Sequence, residues 1–551
     1  MDHDALQERA RTKGVNPLVY WVVRAFFQPF FHIYWRLSRV GREHVPQEGP
    51  VIFACNHRSF LDPFIIGTLA RRPCYFVAKQ ELFKNPFLRW FISSLGAFPV
   101  ARGTGDAGAM DAARAILDRG DPVVIFPEGT RVRPGPLGPT RRGVGRLALE
   151  TGAPVVPIAL IGTENVRRGL RIRPHKIRIR AGRAMRFPRV DEPSPQLALA
   201  VTARIWPAVQ LQWEWLGGIA PVRRAAVLGA GSWGTGLAVA LSRAGIDTQL
   251  GCRTAGQVEA IAAHGQNRPY LPNVTLPDAL HVDRASALDL ADRDLVILAV
   301  PAAELPAAVA AYGDRIPAGA GLVVCAKGIV DQTGQLPLDY VHDRLPANRI
   351  ACLGGPAHSA DALANGASIV VGGTEAEFTR LVSDAFARAG FDVTDTTDAV
   401  GVELAGVAKN AAVLAAATAA VAGPNAAGAA AGKVFAEIDA YARRRGGRPE
   451  TFAGLAGAGD LVATVVAAHS RNRRAGEMLG QGVPVAEIGS ALGQTAEGIA
   501  ALPLLAHALQ EARVPAPAVA GLAAVVEGRE DAETWAASLT TPGRPLKRAA
   551  A

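Results

Sequence analysis

Ala225-Ala226-Val227-Leu228-Gly229-Ala230-Gly231-Ser232-Trp233-Gly234 is the stretch on which the fold turns. Its apolar start reads as a buried strand, and helical sequence from Thr235 to Arg243 follows, so the glycines fall at a strand-to-helix turn. Gly229 permits the tight turn, Gly231 lets backbone approach a pyrophosphate, and Gly234 allows close packing of a helix whose N-terminus faces that anion. Downstream, apolar runs recur at Leu295 to Val300, Leu322 to Cys325, Ile350 to Leu353 and Ile369 to Val371, the pattern of parallel strands joined by crossover helices. From about Val400 the β-like runs give way to alanine-rich sequence, including Ala411 to Ala431, which predicts helices.

Upstream, short apolar strands at Val51 to Cys55, Cys74 to Ala78, Val123 to Phe126 and Val155 to Ile161 alternate with helical patterns. The fold class is α/β: an N-terminal α/β domain, then a Rossmann-type parallel-sheet domain, then an all-helical C-terminal domain. A tryptophan-containing helical stretch ends at Gly217-Gly218 before Pro221, which places the domains at 1–218, 222–398 and 399–545. With 551 residues, 49% hydrophobic and 20% charged, the chain is neither a disordered scaffold nor a collagen-like fibre. Five dispersed cysteines without a CxxC pair argue against a disulfide framework or a zinc site and for a reducing compartment. Met1 to Gly14 is polar and carries both charge signs, unlike an export signal.

The net charge of +10 is split unevenly, with residues 1–220 at +15 and residues 221–551 at −5. An anionic membrane, a phosphorylated substrate or nucleic acid are candidate partners for the basic half. Within Leu18 to Val40, Arg24, Gln28, His32 and Arg36 recur every four residues among Trp21, Phe26, Phe27, Phe30, Phe31, Tyr34 and Trp35. The spacing predicts a helix lying in a headgroup layer with its basic stripe toward lipid phosphates; the alternative is an amphipathic helix packed on its own domain. Residues 165–190 hold ten Lys/Arg and no acid, and Arg171 to Arg180 partly alternates as a strand with a solvated basic face. A lipid headgroup explains that charge, and no nucleic-acid partner is expected.

Asn56-His57-Arg58-Ser59-Phe60-Leu61-Asp62 follows a strand. On an ideal helix the His57 and Asp62 side chains would diverge by about 140°, so their contact needs a turn, for which Pro63 supplies a reason. A carboxylate on one imidazole nitrogen frees the other to take a proton from an alcohol. Gly96 to Arg102 (GAFPVAR) and Phe126 to Arg131 (FPEGTR) follow, and Arg102 and Arg131 have the planar fork that suits phosphate. NHRSFLD, GAFPVAR, FPEGTR and the later Val156-Pro157-Ile158 together resemble the ordered motifs of the glycerolipid acyltransferases, over about residues 35–190. The resemblance implies His57 as general base, Asp62 as its orienter, and Arg102, Glu128, Gly129 and Arg131 as holders of a glycerophosphate head. It also implies a thioester of coenzyme A or acyl carrier protein as cosubstrate, and lysophosphatidic acid or glycerol 3-phosphate as acceptor.

In the second half the acid expected on a cofactor ribose is replaced by Arg253, which accommodates a 2′-phosphate, so NADP is expected beside NAD. Lys327 in AKG, Gly355 in GGP, Lys409 in VELAGVAKN, Asp460 in GLAGAGDL, then Ser470, Arg471, Asn472 and Glu497, resemble NAD(P)-dependent glycerol-3-phosphate dehydrogenase of the bacterial type over residues 223–530. The resemblance implies that Lys409 exchanges a proton with the substrate C2 oxygen and Lys327 polarises the carbonyl. Asp460 orients the lysine, while Gly355, Ser470, Arg471 and Asn472 hold the glycerol phosphate. Gly229, Gly231, Ser232, Trp233, Gly234, Arg253, Lys327, Ser359, Arg471 and Glu497 would contact the cofactor. Ala357 stands where that family has serine, and Gly423 to Gly428 departs from its pattern. The expectation is therefore a bifunctional enzyme peripheral to the inner face of the cell membrane, with room for acyl carrier protein or a second copy as partner. The alternative is an acyltransferase whose dehydrogenase-like half is a catalytically weakened nucleotide-binding regulatory module.

Overall fold

The protein is described here by a computed structural model that covers residues 3–100, 107–132, 135–168, 171–331, 333–467, 470–492 and 497–540. The chain forms two compact units, 1–221 and 222–551.

The strands of the first unit are β1 (Ser38–Val40), β2 (Val51–Cys55), β3 (Tyr75–Lys79), β4 (Ala97–Val100), β5 (Pro122–Ile125), β6 (Val155–Ile161), β7 (Arg167–Arg168), β8 (Arg171–Ile172) and β9 (Arg178–Ala181). Seven of them make one sheet in the order β1-β9-β6-β2-β5-β3-β4, while β7 and β8 form a separate ribbon. Only β6 and β9 run antiparallel within the sheet. Its centre is buried on both faces: Val51, Phe53 and Cys55 enter one core with Phe31 and Ile65, and Ile52 and Ala54 enter the other with Ile116 and Leu147. That double burial explains why β2 reads as an unbroken apolar run. The basic stretch is interrupted at Pro174, which donates nothing to a ladder. Real alternation survives only in β9, where Ile179 and Ala181 are buried and Arg178 and Arg180 partly exposed.

The aromatic N-terminal helix departs from expectation. It spans Pro17–Ile33, capped by the Asn16 side chain, and Arg36 lies beyond it in a left-handed conformation. Arg24 turns inward, its guanidinium donating to the carbonyls of Gly67 (3.0 Å) and Ala70 (2.7 Å). Those carbonyls offer the cation fixed partners within the unit, so the face turned outward is apolar rather than basic. Leu18, Trp21, Val22, Phe26 (73% exposed) and Ile33 (79%) lie on it.

In the second unit, β10 (Arg224–Leu228), β11 (Asp247–Cys252), β12 (His281–Arg284), β13 (Leu295–Leu298), β14 (Gly321–Val324), β15 (Arg349–Gly354), β16 (Ser368–Gly373) and β17 (Asp392–Thr396) make one sheet ordered β12-β11-β10-β13-β14-β15-β16-β17. All neighbours are parallel except β15 and β16. The expected α/β layout with a helical C-terminal region is therefore present. Its central helix, Ala399–Ala419, is buried along most of its length. Alanine and glycine make this possible, since short side chains let neighbouring helices approach from several sides.

Candidate active sites

In the first unit, three adjacent parallel strands, β6, β2 and β5, each deliver a loop to the same sheet edge, the carboxyl ends where α/β sheets bind ligands. After β2 the chain turns rather than coils, and Asp62 begins a short helix, Asp62–Ile66, with Pro63 in its first turn. His57 Nδ1 thereby reaches Asp62 Oδ2 at 2.8 Å. The same oxygen accepts the N–H groups of Arg58 (2.6 Å) and Ser59 (2.7 Å), and Oδ1 accepts the Thr163 hydroxyl at 2.6 Å. With donors on both oxygens Asp62 acts as the acceptor, so the His57 Nδ1–H donates the shared bond and Nε2 is left as the acceptor. The imidazole also stacks on Phe126 at 4.0 Å between ring centroids.

Glu128 behaves differently from the headgroup holder implied by its motif. Its Oε2 accepts the His57 N–H at 2.6 Å and its Oε1 accepts the Gly138 N–H at 2.8 Å, in a buried position. Both carboxyl oxygens thus serve backbone, and burial pushes the Glu128 pKa up to about 7. The two carboxyl groups of Asp62 and Glu128 therefore capture three successive backbone N–H groups, at residues 57, 58 and 59. Gly129 adopts φ +70°, and a Cβ there would come within 2.8 Å of the Arg141 side chain. Arg131 is exposed, and Arg102 lies outside the described residues. Arg58, assigned no role from sequence, is buried, bonds to the carbonyls of Gly135 and Pro136, and stacks on Trp213. Asn56 clamps β2 to β6 through paired bonds with Leu160. Thr163 was missed altogether, because a threonine about a hundred residues from Asp62 has no sequence signature.

In the glycine loop of the second unit the tight turn at Gly229 and the close packing at Gly234 are present. A Cβ on Gly229 (φ +114°) would lie 2.5 Å from the Ala299 carbonyl oxygen, and one on Gly234 would lie 1.9 Å from the Gly229 carbonyl oxygen. Around Gly231 there is open space, as a phosphate close to the backbone requires. The Ser232 hydroxyl donates to the Tyr270 carbonyl at 2.6 Å. Trp233 packs edge-on against Phe391. Arg253 is exposed just past β11, with no acid beside it at the strand end. Ser359 begins the helix Ser359–Asn365 and packs against Gly236, so it joins two helices. Gly355 takes φ +96° at the end of β15.

Lys327, just past β14, and Lys409, in the central helix, converge on one carboxylate. Lys327 Nζ lies 2.8 Å from Asp460 Oδ2 and Lys409 Nζ lies 3.4 Å from Oδ1. Asp460 is carried there by Leu455–Gly459, a wide helical turn rich in glycine. Gly457 is obligatory, since a Cβ would meet the Phe452 carbonyl at 2.1 Å. Burial pushes the Lys409 pKa down to about 8, and the neighbouring Lys327 cation adds to the effect. Burial acts on Lys327 in the same direction, but Asp460 outweighs it and raises that ammonium. For Asp460 burial works upward, and the two lysines overcome it and lower the carboxyl.

Thr464, unassigned from sequence, accepts from Lys409 Nζ at 3.1 Å and donates to the Asp460 carbonyl at 2.7 Å. Asn410 and Glu497 share a cleft with Lys327, and burial raises the Glu497 carboxyl. Asn472 is committed to Asn410 Oδ1 (2.8 Å) and to the Gly498 N–H (3.1 Å), and Ser470 caps its helix by accepting the Arg473 N–H. Asn472 therefore braces two residues that line the cleft, Asn410 and Gly498, while Arg471 beside it is exposed. His358, next to Ala357, bonds to Ala463 and has its pKa lowered by burial and by Lys409. The departing segment at Gly423 opens the helix Pro424–Arg444, whose Ala426, Ala430 and Val434 are buried in the helical core.

Residues 36–161 match the family described as Acyltransferase. Residues 224–378 and 398–537 match the N-terminal and C-terminal parts of NAD-dependent glycerol-3-phosphate dehydrogenase. A glycerol-3-phosphate dehydrogenase [NAD(P)+] of Mesorhizobium japonicum is 35% identical over 328 residues, which are 59% of this chain and 93% of that protein. One from Caulobacter vibrioides is 35% identical over 326 residues, 58% of this chain and 97% of that protein. The crystal structure of a glycerol-3-phosphate dehydrogenase from Coxiella burnetii matches 58% of this chain and 98% of its own, at 28% identity and a TM-score of 0.55.

Proposed function

From the premise that this chain belongs to the NAD(P)-dependent glycerol-3-phosphate dehydrogenase family and carries an acyltransferase domain ahead of it, we propose a bifunctional enzyme of glycerophospholipid synthesis. Its second unit reduces dihydroxyacetone phosphate to sn-glycerol 3-phosphate, and its first transfers an acyl group from a thioester to glycerol 3-phosphate or its 1-acyl derivative. The observation that carries the reading is the buried Asp460 carboxylate gripped by two lysines in the same unit as an open glycine loop.

NAD(P) fits that loop, because Gly229 and Gly234 allow the close packing and the space at Gly231 admits a pyrophosphate. When bound, it supplies the hydride. Lys409, held by Asp460 and Thr464, is placed to give a proton to the ketone oxygen and to recover one in the reverse direction. With a pKa near 8 it can do either close to neutral pH. Lys327 polarises the same carbonyl, and Arg471 anchors the phosphate. Arg253 favours NADPH; Arg253→Ala should raise the KM for NADPH about tenfold and leave that for NADH unchanged. NADPH oxidation with dihydroxyacetone phosphate tests the reading: turnover by the unaltered chain, lost in Lys409→Ala, supports it. Ala357, which lacks the family's hydroxyl, favours a second reading in which this unit binds nucleotide without turnover. Cofactor binding with no oxidation in the unaltered chain would select it.

In the first unit His57 Nε2 takes the acceptor hydroxyl proton as the oxygen attacks the thioester carbonyl; the carbon–sulfur bond then breaks and the thiolate recovers the proton. Glu128 holds the His57 backbone N–H, Asp62 holds its ring and the backbone of Arg58 and Ser59, and Arg131 is exposed and offered to the phosphate. With either acceptor the acylated product is amphiphilic, and a lipid surface fits the outward face of the Pro17–Ile33 helix. The Pro86–Ser94 helix adds Phe87 (71% exposed) and Trp90 (48%). Each large apolar side chain buried there contributes roughly 1.5–3 kcal/mol. Phe26→Ser with Phe87→Ser should release the chain from anionic phospholipid vesicles in sedimentation; unchanged binding would exclude these helices as the contact.

A further inference from the structure

The glycine loop contains a peptide plane that two side chains from outside the loop hold in place. The Ala230 carbonyl accepts from Asn267 Nδ2 and from Gln257 Nε2, both at 2.9 Å. Asn267 Nδ2 also donates to Thr235 Oγ1 at 2.8 Å. Asn267 is buried, and its Oδ1 has no partner among the described residues. Rotating the amide by half a turn would set that oxygen against the Ala230 carbonyl, so the donor orientation is dictated by its surroundings.

A trans peptide is planar, with its C=O and N–H pointing to opposite sides. Fixing the Ala230 carbonyl against Asn267 and Gln257 therefore fixes the Gly231 N–H in the opposite direction. Gly231 has open space about it, and it directly precedes the Ser232–Arg243 helix, whose first N–H groups lie alongside. A glycine at 231 has no Cβ to restrict its φ, so these two side chains add a restraint on the plane that the glycine itself does not supply.

We propose that Asn267 and Gln257 are positioning residues for the dinucleotide, acting through the Ala230–Gly231 peptide to aim the Gly231 N–H at the pyrophosphate. The inference deepens the dehydrogenase reading and rests on it. Neither side chain touches the anion; each works by preventing a flip that would present a carbonyl oxygen to it. The contribution is specific to pyrophosphate, because the group it aims is a single backbone N–H at the Gly231 space.

The test is binding of NADPH and of adenosine 2′-monophosphate, which has no pyrophosphate, to the full chain and to Asn267→Leu, Gln257→Leu and the double variant. The double variant should raise the NADPH Kd about tenfold and each single variant about threefold. The adenosine 2′-monophosphate Kd should stay unchanged and kcat at saturating NADPH should remain within about twofold. Retained kcat shows that the unit is folded, and if the double variant is insoluble the Asn267→Leu pair of affinities decides. An unchanged NADPH Kd overturns the proposal, as does a parallel loss of both ligands, which would mean general distortion. No NADPH binding by the unaltered chain would overturn the dehydrogenase reading instead.

Discussion

The two units surround their candidate proton carriers, His57 and Lys409, with opposite electrostatic designs. In the first, one buried carboxylate serves one imidazole, and Asp62 is saturated by two backbone N–H groups and the Thr163 hydroxyl besides His57. The histidine is controlled by orientation. In the second, one carboxylate is shared by two ammonium groups, and burial with cation repulsion moves Lys409 to about 8. Imidazole already titrates near neutrality, so a site built on it needs only a fixed ring; an ammonium must be dehydrated and crowded before it can act as an acid and a base.

The largest expected effect would break this separation outright. His57→Ala should lower acyl transfer about 10⁴-fold and leave NADPH oxidation intact, and Lys409→Ala should do the converse. A cross-effect in either direction would show that the two chemistries depend on one another. Next, Asp460→Asn removes the charge shared by both lysines and should cost turnover about 10²–10³-fold.

The orientation argument is sharpened by Thr163→Val, which deletes one donor to Asp62 and keeps the side-chain volume. Acyl-transfer kcat should fall about tenfold at unchanged KM and return in Thr163→Ser. If Thr163→Ser is as slow as Thr163→Val, the hydroxyl is not what matters. The electrostatic argument predicts a pH limb: ketone reduction needs protonated Lys409 and should decline as pH rises through about 8, while the oxidation should climb through the same range. Lys327→Met removes a repelling cation and should carry the limb upward by about one pH unit.

The smallest effect concerns stability. Glu403, on the Lys409 helix, accepts the Leu338 N–H at 2.9 Å, and burial raises its pKa from 4.5 to about 8. Folding therefore takes up a proton, so this group's contribution is fully present below pH 4.5 and is lost as pH rises to about 8. Glu403→Gln should be near neutral at pH 5 and stabilising by about 1–2 kcal/mol at pH 8 in thermal unfolding. The same gain at both pH values would show that the carboxyl does not titrate in that window.

Much of the geometry at both candidate sites was legible because it is set by a few neighbouring residues. A strand followed by NHRSFLD places His57 and Asp62 on one turn, and a strand followed by GAGSWG places Gly229 and Gly234 where the packing leaves no room for a Cβ. Elsewhere a local pattern misled: the four-residue spacing of Arg24, Gln28, His32 and Arg36 described a helix face correctly as far as Ile33, but not which way it looks. That direction was set by the Gly67 and Ala70 carbonyls, some forty residues away. Glu128 was recognised by its motif and given the wrong partner for the same reason, since its partners are the backbone of His57 and Gly138.

The amino-acid order alone determined the α/β class, the loops that bear the chemistry and the residues able to carry a proton, because turn formation, apolar periodicity and side-chain type act over a few residues. Tertiary structure decided how charged and polar groups pair across long separations: Thr163 with Asp62, Lys327 with Lys409 through Asp460, Asn267 with the Ala230 carbonyl. Such pairings follow from desolvation and from the need of every buried polar group for a partner, and both are properties of the packed chain.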